Sequence, residues 1–302
     1  MLGSTVTAAA KRARFRTDLA SGRLLRLPGA FSPLVARLVQ ETGFDGVYVS
    51  GAALSADLAL PDIGLTTLTE VADRGGAIAQ ATDLPALIDA DTGFGEPLNA
   101  ARTTRVLEQA GLAGLHLEDQ VNPKRCGHLD HKSVVSVAEM TGRLRAAIDA
   151  RTDPDFVICA RTDARTVEGL RASIDRAKAY VDAGADMIFA EALADEFEFE
   201  AFRAGVDVPL LANMTEFGKS PLLDVTTLER LGVNVVIYPV TTLRLAMGAV
   251  EAGLRTIATE GTQASLVPAM QTRARLYELL DYAAYTQFDA SVFNFTVGGA
   301  EQ

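Results

Sequence analysis

Apolar and polar positions alternate along this chain between two textures. Short, nearly continuous apolar runs of four to six residues each lead into a polar or glycine-containing turn. A segment with apolar positions at helical spacing then follows. The runs are Leu24 to Pro28, Gly46 to Ser50, Ala86 to Asp89, Gly114 to Glu118, Phe156 to Arg161, Met187 to Glu191, Pro209 to Asn213 and Val235 to Tyr238. The helical segments run from about Ser32 to Thr42, Thr67 to Ala81, Leu98 to Ala110, Val137 to Ala150, Glu168 to Ala183, Glu196 to Ala204, Thr226 to Leu231 and Thr242 to Glu260. The stretch from Gly51 through Pro61-Asp62 reads as loop, and one further helix, from about Gln263 to Ala284, follows the last unit.

Runs that are apolar throughout predict strands buried on both faces, which means a parallel sheet covered by helices. Eight units match the closure number of a (β/α)8 TIM-type barrel. The alternative is an open doubly wound sheet, but no Gly-x-Gly-x-x-Gly turn follows the first run. Leu266, Met270, Leu276, Leu279 and Leu280 give the extra C-terminal helix an apolar face that a closed barrel cannot bury, so exchange between subunits is expected. Residues 1–302 then form one catalytic barrel domain, with 1–20 an N-terminal segment and 240–302 helices and tail at the oligomer interface. The first ten residues are expected to fray.

A barrel of this kind places its active site at the C-terminal ends of the strands. Those ends carry Tyr48 and Ser50 on strand two, Asp89 and Asp91 on three, Glu118 on four, Arg161 and Asp163 on five, Glu191 on six and Asn213 on seven. Asp89 and Asp91 share a face if their strand persists. Acids on strands three, four and six repel one another unless a cation sits among them. An oxygen-only donor set favours Mg²⁺ or Mn²⁺. His116, on the face of Glu118, is expected to fill the barrel interior. After strand four comes a loop from Gln120 to Lys132 that holds Lys124-Arg125-Cys126-Gly127-His128. Its length fits a lid, and the cations around Cys126 are expected to lower the thiol pKa from roughly 8.5 and to attract carboxylates.

Net charge is −11 with no offsetting basic tract, which argues against a nucleic-acid partner. Two cysteines, one of them in the apolar run at Cys159, cannot build a disulfide framework, which suits a reducing cytoplasmic setting. No apolar run reaches the roughly 18 residues of a membrane helix, so no membrane partner is expected. The basic N-terminus, with Lys11, Arg12, Arg14 and Arg16, lacks the apolar segment of a signal peptide.

Lys124-Arg125-Cys126-Gly127-His128 also resembles the signature of the lyase branch of the isocitrate lyase/phosphoenolpyruvate mutase superfamily, in particular the short methylisocitrate lyases. Supporting matches are Tyr48 to Gly51, Asp89 to Gly95, Leu117 to Gln120, Ala160 to Asp163, Glu191 to Leu193, Ala212 to Gly218, Gly261 to Gln263 and Met270 to Arg273. The resemblance runs from about Leu25 to Tyr285. It implies a modified (β/α)8 barrel with a swapped C-terminal helix, a homotetramer, and Mg²⁺ bound by Asp89 with Asp62, Asp91 and Glu118 holding its waters. It implies a tricarboxylate substrate with Ser50, Gly51, Ala52, Gly127, His128, Arg161, Glu191 and Asn213 around the carboxylates. It implies cleavage of 2-methylisocitrate to pyruvate and succinate, with Cys126 as general acid and Tyr48, then Lys124, as candidate base. Isocitrate lyase chemistry, another carbon–carbon or phosphorus–carbon bond reaction of the superfamily, and a non-catalytic oligomeric binding protein are the alternatives. Departures from the family pattern are Ala52-Ala53 where glycine is common, Ala190 where proline is common, and Leu129-Asp130-His131.

Overall fold

The computed structural model describes residues 4–128 and 131–293. Leu129 and Asp130 of the unusual continuation lie outside them. Eight parallel strands alternate with helices. They are β1 Leu25–Pro28, β2 Val47–Val49, β3 Ala86–Asp89, β4 Gly114–Glu118, β5 Val157–Thr162, β6 Met187–Ala190, β7 Leu210–Asn213 and β8 Val235–Tyr238. Each strand pairs with its sequence neighbour, and β1 closes onto β8. Between β1 and β2 the contact narrows to a single parallel bridge, Gly29 to Tyr48. The result is the expected near-closed (β/α)8 barrel.

Alternation along the strands divides the core in two. Outward side chains such as Val49, Ile88, Leu115, Ile158, Ile188 and Val236 pack under the helices. Inward side chains fill the barrel itself: Leu27, Tyr48, Leu87, Cys159, Phe189, Leu211 and Ile237. The inward rows continue to the C-terminal mouth, where they change from apolar to charged. Leu87 gives way to Asp89, His116 to Glu118, Cys159 to Arg161, Phe189 to Glu191 and Leu211 to Asn213. Strand register sets these ends side by side, Asp89 opposite His116 and Glu118 opposite Arg161.

The opposite end of the barrel is stoppered by helix α1, Ala8–Ala20, whose Phe15 and Leu19 join the interior cluster. For residues 4–10 this corrects the expectation of a frayed start, while residues 1–3 lie outside the described ones. The Ser4 hydroxyl and the Thr5 backbone N–H each donate to Asp83 Oδ1 at 2.7 Å. The buried ammonium of Lys11 donates to the carbonyls of Ala79 and Thr82, and Arg12 donates to Asp153 at 2.6 Å. The basic residues here tie the segment to the barrel instead of facing a partner.

Helix α2 is Pro33–Glu41. The stretch expected as loop after β2 begins with α3, Gly51–Asp57, because Ser50 Oγ caps it by accepting from Ala53 N. Helices α4 Leu68–Gln80, α5 Pro97–Gln109 and α6 Val137–Ala150 follow as expected. The helix expected over 168–183 is α8 Leu170–Asp182, preceded by a short helix not expected from the sequence, α7 Arg165–Glu168, from which Gly169 at φ 93° separates it. Then come α9 Glu196–Gly205, α10 Val225–Arg230 and α11 Thr241–Glu260. The single helix expected over 263–284 is three pieces: a 3₁₀ turn at Ala264–Ala269 holding Pro268, α12 Arg273–Leu279, and α13 Tyr282–Val292. Pro268 lacks an amide donor and Asp281 sits at φ 55°, so one continuous helix is broken. Helix α11 has no buried residue, and Leu245, Leu254 and Phe288 are exposed. No described helix is long and apolar enough to cross a membrane.

Candidate active site

At the mouth of the barrel a cavity of about 90 Å³ gathers residues from seven strand ends or the loops behind them. Tyr48, Ser50, Ala52, Asp62, Asp89, Lys124, Cys126, Gly127, His128, Arg161, Glu191 and Asn213 all line it. Gly51 stands just behind, its N–H donating to Asp89 Oδ2 at 3.3 Å. Glu118 is buried beside Arg161, and Asp91 lines a neighbouring cleft with Thr92 and Asn122. Strand β3 ends at Asp89, so Asp91 does not share its face by strand alternation. Instead Asp91 turns back at φ 47°, and its N–H donates to Asp89 Oδ1 at 2.9 Å.

On one side the site is an array of acids around one ammonium. Lys124 Nζ lies 2.7 Å from Asp91 Oδ1 and also pairs with Asp62. Burial alone would favour a neutral Lys124, but Asp91, Glu118, Asp89 and Asp62 outweigh it and keep the ammonium charged. Burial likewise opposes ionisation of Asp89. His116, Lys124, Arg161 and the Asp91 amide together overcome it and hold that carboxyl below the ordinary range. Asp91 is pushed up to about 6 by burial, and burial raises Glu118 well above a usual glutamate. Neither Glu118 oxygen accepts a hydrogen bond from a described residue. Buried carboxylate oxygens without donors are costly unless a cation or bound water serves them. Among the described residues no three His, Cys, Asp or Glu side chains converge as direct ligands. Hard oxygen donors, few of them direct, suit a hydrated Mg²⁺ held mainly by one carboxylate.

Across the cavity, Arg161 is gripped by three acids. Nε and Nη2 donate to Asp163 at 3.0 and 3.3 Å, Nη2 lies 3.4 Å from Glu191 and Nη1 3.3 Å from Glu118. Its guanidinium stacks over Phe189, 5.1 Å from the ring centre. His128 bridges the loop to the wall. Its Nδ1 accepts from the Lys219 N–H at 2.9 Å, which leaves Nε2 to carry the proton toward Glu191 Oε1 at 2.8 Å. Asn213 Nδ2 donates to Glu191 Oε1 at 3.3 Å.

Between the two halves, Tyr48 OH and His116 Nε2 are 2.7 Å apart inside the barrel. His116 packs against Tyr48 and Phe189 and is fully buried, the interior position expected for it. Burial holds it neutral, with its pKa pushed down to about 4. Burial, reinforced by Asp89, raises the Tyr48 phenol well above its ordinary value.

Cys126 is half-buried and unpaired. The expectation that neighbouring cations lower its pKa is overturned: burial raises it, and the His128 N–H and Arg161 only partly offset that. Lys124 turns away to Asp62 and Asp91, Arg125 is exposed where it lines the cavity, and His128 turns to Glu191. The thiol therefore keeps its proton at neutral pH. It sits in the cavity as a thiol, not as a thiolate.

Arg125, Phe189, Thr215, Pro239, Val240 and Arg244 also line the cavity. Phe189 is the inward residue two before Glu191, so the alternation of β6 pointed to it. Arg244 is on α11, where no strand-end signal exists. Lys132 is buried against Asp163 and escaped notice because one lysine in a polar loop has no sequence mark.

A parallel eight-stranded barrel with acids, an arginine and a protonated thiol at its C-terminal mouth defines a class: barrel enzymes acting on small carboxylates. Comparison with known proteins narrows it. The family model described as phosphoenolpyruvate phosphomutase matches residues 15–258, and the chain belongs to this family, within the isocitrate lyase/phosphoenolpyruvate mutase superfamily. A probable 2-methylisocitrate lyase 2 of Corynebacterium glutamicum is 62% identical over 98% of this chain and 96% of its own. A 2-methylisocitrate lyase of Shewanella oneidensis is 48% identical, over 90% of this chain and 94% of its own. Among solved structures, oxaloacetate acetylhydrolase in complex with 3,3-difluorooxalacetate superposes with a TM-score of 0.89 at 33% identity, covering 94% of this chain and 97% of the other.

Proposed function

We propose that this chain is a Mg²⁺-dependent carbon–carbon lyase that cleaves (2S,3R)-2-methylisocitrate to pyruvate and succinate, as the methylcitrate cycle of propionate catabolism requires. The observation that carries this reading is the convergence of Cys126 with Asp89, Arg161 and Glu191 in one small cavity, where burial raises the thiol pKa and favours its protonated form. The names of the relatives support the particular substrate.

Asp89 is the residue that would bind the metal, with Asp62, Asp91 and Glu118 around it; Mn²⁺ fits the same donors. When bound, the ion supplies Lewis acidity toward the substrate hydroxyl and its neighbouring carboxylate. Arg161 orients a carboxylate, held stiffly by Asp163 while its outer edge faces the cavity. Ser50, Gly51 and Ala52 at the start of α3, together with Gly127, His128, Glu191 and Asn213, surround the remaining carboxylates. Cleavage moves the hydroxyl proton to a base and the C2–C3 electron pair into the succinate half, where Cys126 delivers its proton to carbon. A positioned proton donor of this kind contributes typically about 10²–10⁴-fold. Tyr48 is the first candidate base and Lys124 the second. Both are protonated before substrate enters, so whichever acts must pass its own proton on, Tyr48 to His116 or Lys124 to Asp91 or Asp62.

The exposed apolar side chains of α11 and α13 support a homotetramer with C-terminal helices exchanged between subunits. The reading places the enzyme in the cytoplasm, with a small tricarboxylate as its partner and neither nucleic acid nor membrane. The test is incubation with 2-methylisocitrate and, separately, isocitrate, with and without Mg²⁺. Pyruvate from the first, dependent on Mg²⁺, is the expected product. Faster release of glyoxylate from isocitrate would reassign the substrate, and no turnover of either would revive the binding-protein alternative.

A further inference from the structure

Lys132 is an ammonium with almost no access to water, on a loop where a solvent-facing lysine would cost nothing. Replacing a buried ion pair by apolar side chains is often neutral or stabilising, so stability alone is a weak reason for its presence. Its contacts point to another. Nζ lies 2.9 Å from Asp163 Oδ1 and donates to the Gly127 carbonyl. That carbonyl belongs to the Gly127–His128 peptide group, one residue beyond Cys126. Lys132 thus holds the chain immediately after the thiol-bearing residue. A second clamp acts before the cysteine. Gln120 Nε2 donates to the Arg125 carbonyl at 2.8 Å, and its Oε1 accepts from the Arg125 N–H at 2.8 Å.

We propose that Lys132 and Gln120 are positioning residues for Cys126, fixing the peptide groups on either side so that the thiol points into the cavity. Asp163 is the anchor. Its carboxylate receives both Lys132 and Arg161, and its backbone N–H donates to Asp119 Oδ1 at 2.9 Å. Asp119 is in turn held by Thr162 and Tyr180 at 2.7 and 2.8 Å. The aim of the thiol and the orientation of the carboxylate-binding arginine are therefore referred to the same residue, Asp163, just past the end of β5.

This inference rests on the proton-donor role of Cys126 proposed above, so its test has an arm that needs no turnover. Lys132→Met and Gln120→Glu are made in the full chain and assayed with Mg²⁺ present. Each is expected to lower kcat by about 10²-fold, the effect of misplacing a reacting group by about 1 Å, with KM changed less than about twofold. Each is also expected to raise the rate at which iodoacetamide alkylates Cys126, read by peptide mass spectrometry. Fully buried Cys159 serves as the unlabelled control. Wild-type kcat with wild-type alkylation would overturn the proposal, as would a rise in KM alone with alkylation unchanged. If the wild type turns over no tricarboxylate, the functional reading fails while the alkylation arm still decides the positioning. Should Lys132→Met fail to fold, Gln120→Glu carries both readouts.

Discussion

Replacing Gly127 by alanine would set a methyl carbon 2.4 Å from Glu191 Cγ and 2.5 Å from Arg161 Nη2. Ordinary contact between such atoms begins near 3.5 Å, so something must retreat by about 1 Å. Neither neighbour is free to do so. Glu191 is buried and held by His128 at 2.8 Å, and Arg161 is fixed by Asp163 and Glu118. The loop must therefore lift, carrying Cys126 with it. Overpacking of this kind costs roughly 1–3 kcal/mol of stability, and a shift of about 1 Å at a reacting group costs about 10²-fold in rate. The assay is steady-state turnover of 2-methylisocitrate by Gly127→Ala alongside its melting temperature. The expected result is a folded enzyme, a few degrees less stable, with kcat down about 10²-fold. Wild-type kcat in the alanine variant would show that the loop does not pack on Glu191 and Arg161 during catalysis, and the argument for a fixed thiol would fail with it.

Cys126→Ser is expected to keep the fold and Mg²⁺ binding while losing nearly all turnover, because a hydroxyl is a far weaker acid than a thiol; pyruvate release at the wild-type rate would refute the donor role. Asp89→Ala should abolish the response of chelator-treated enzyme to added Mg²⁺, and calorimetric titration with the metal should show no binding at the mouth; an undiminished response would move the metal elsewhere. His116 is neutral in the folded barrel, with a pKa of about 4 against 6.5 for an ordinary histidine. The unfolded chain binds more protons between these values, so stability falls as pH drops from 6.5 to 4, by about 3 kcal/mol from this group. His116→Gln should flatten that part of the pH dependence in urea unfolding curves, and identical slopes would mean that His116 is not neutral in the fold.

The barrel was legible because its strands are buried on both faces, and a run such as Leu115 to Leu117 leaves no polar residue except an inward His116 to confuse the pattern. The strand-end acids were legible for a related reason, since a charge closing an apolar run stands out. What escaped was set by distance in space. The N-terminal segment reads as a polar tail, yet Phe15 and Leu19 join the apolar interior at the base of the barrel. The break in the C-terminal helix needed Asp281 in a left-handed conformation, which Asp tolerates but does not announce.

Sequence alone determined the eight units, the acids at their ends and the Cys126 motif, because these depend on local alternation and on residues adjacent in the chain. Only the tertiary structure decided the state of the thiol. Three cations close in sequence implied a lowered pKa, but folding turned Lys124 to the acids and His128 to Glu191, left Arg125 exposed, and half-buried the thiol. The same folding brought Lys132 back to the peptide beside the cysteine and onto Asp163, 31 positions along the chain. Electrostatics follows distance through space, and that distance is settled only when the loop closes over the barrel.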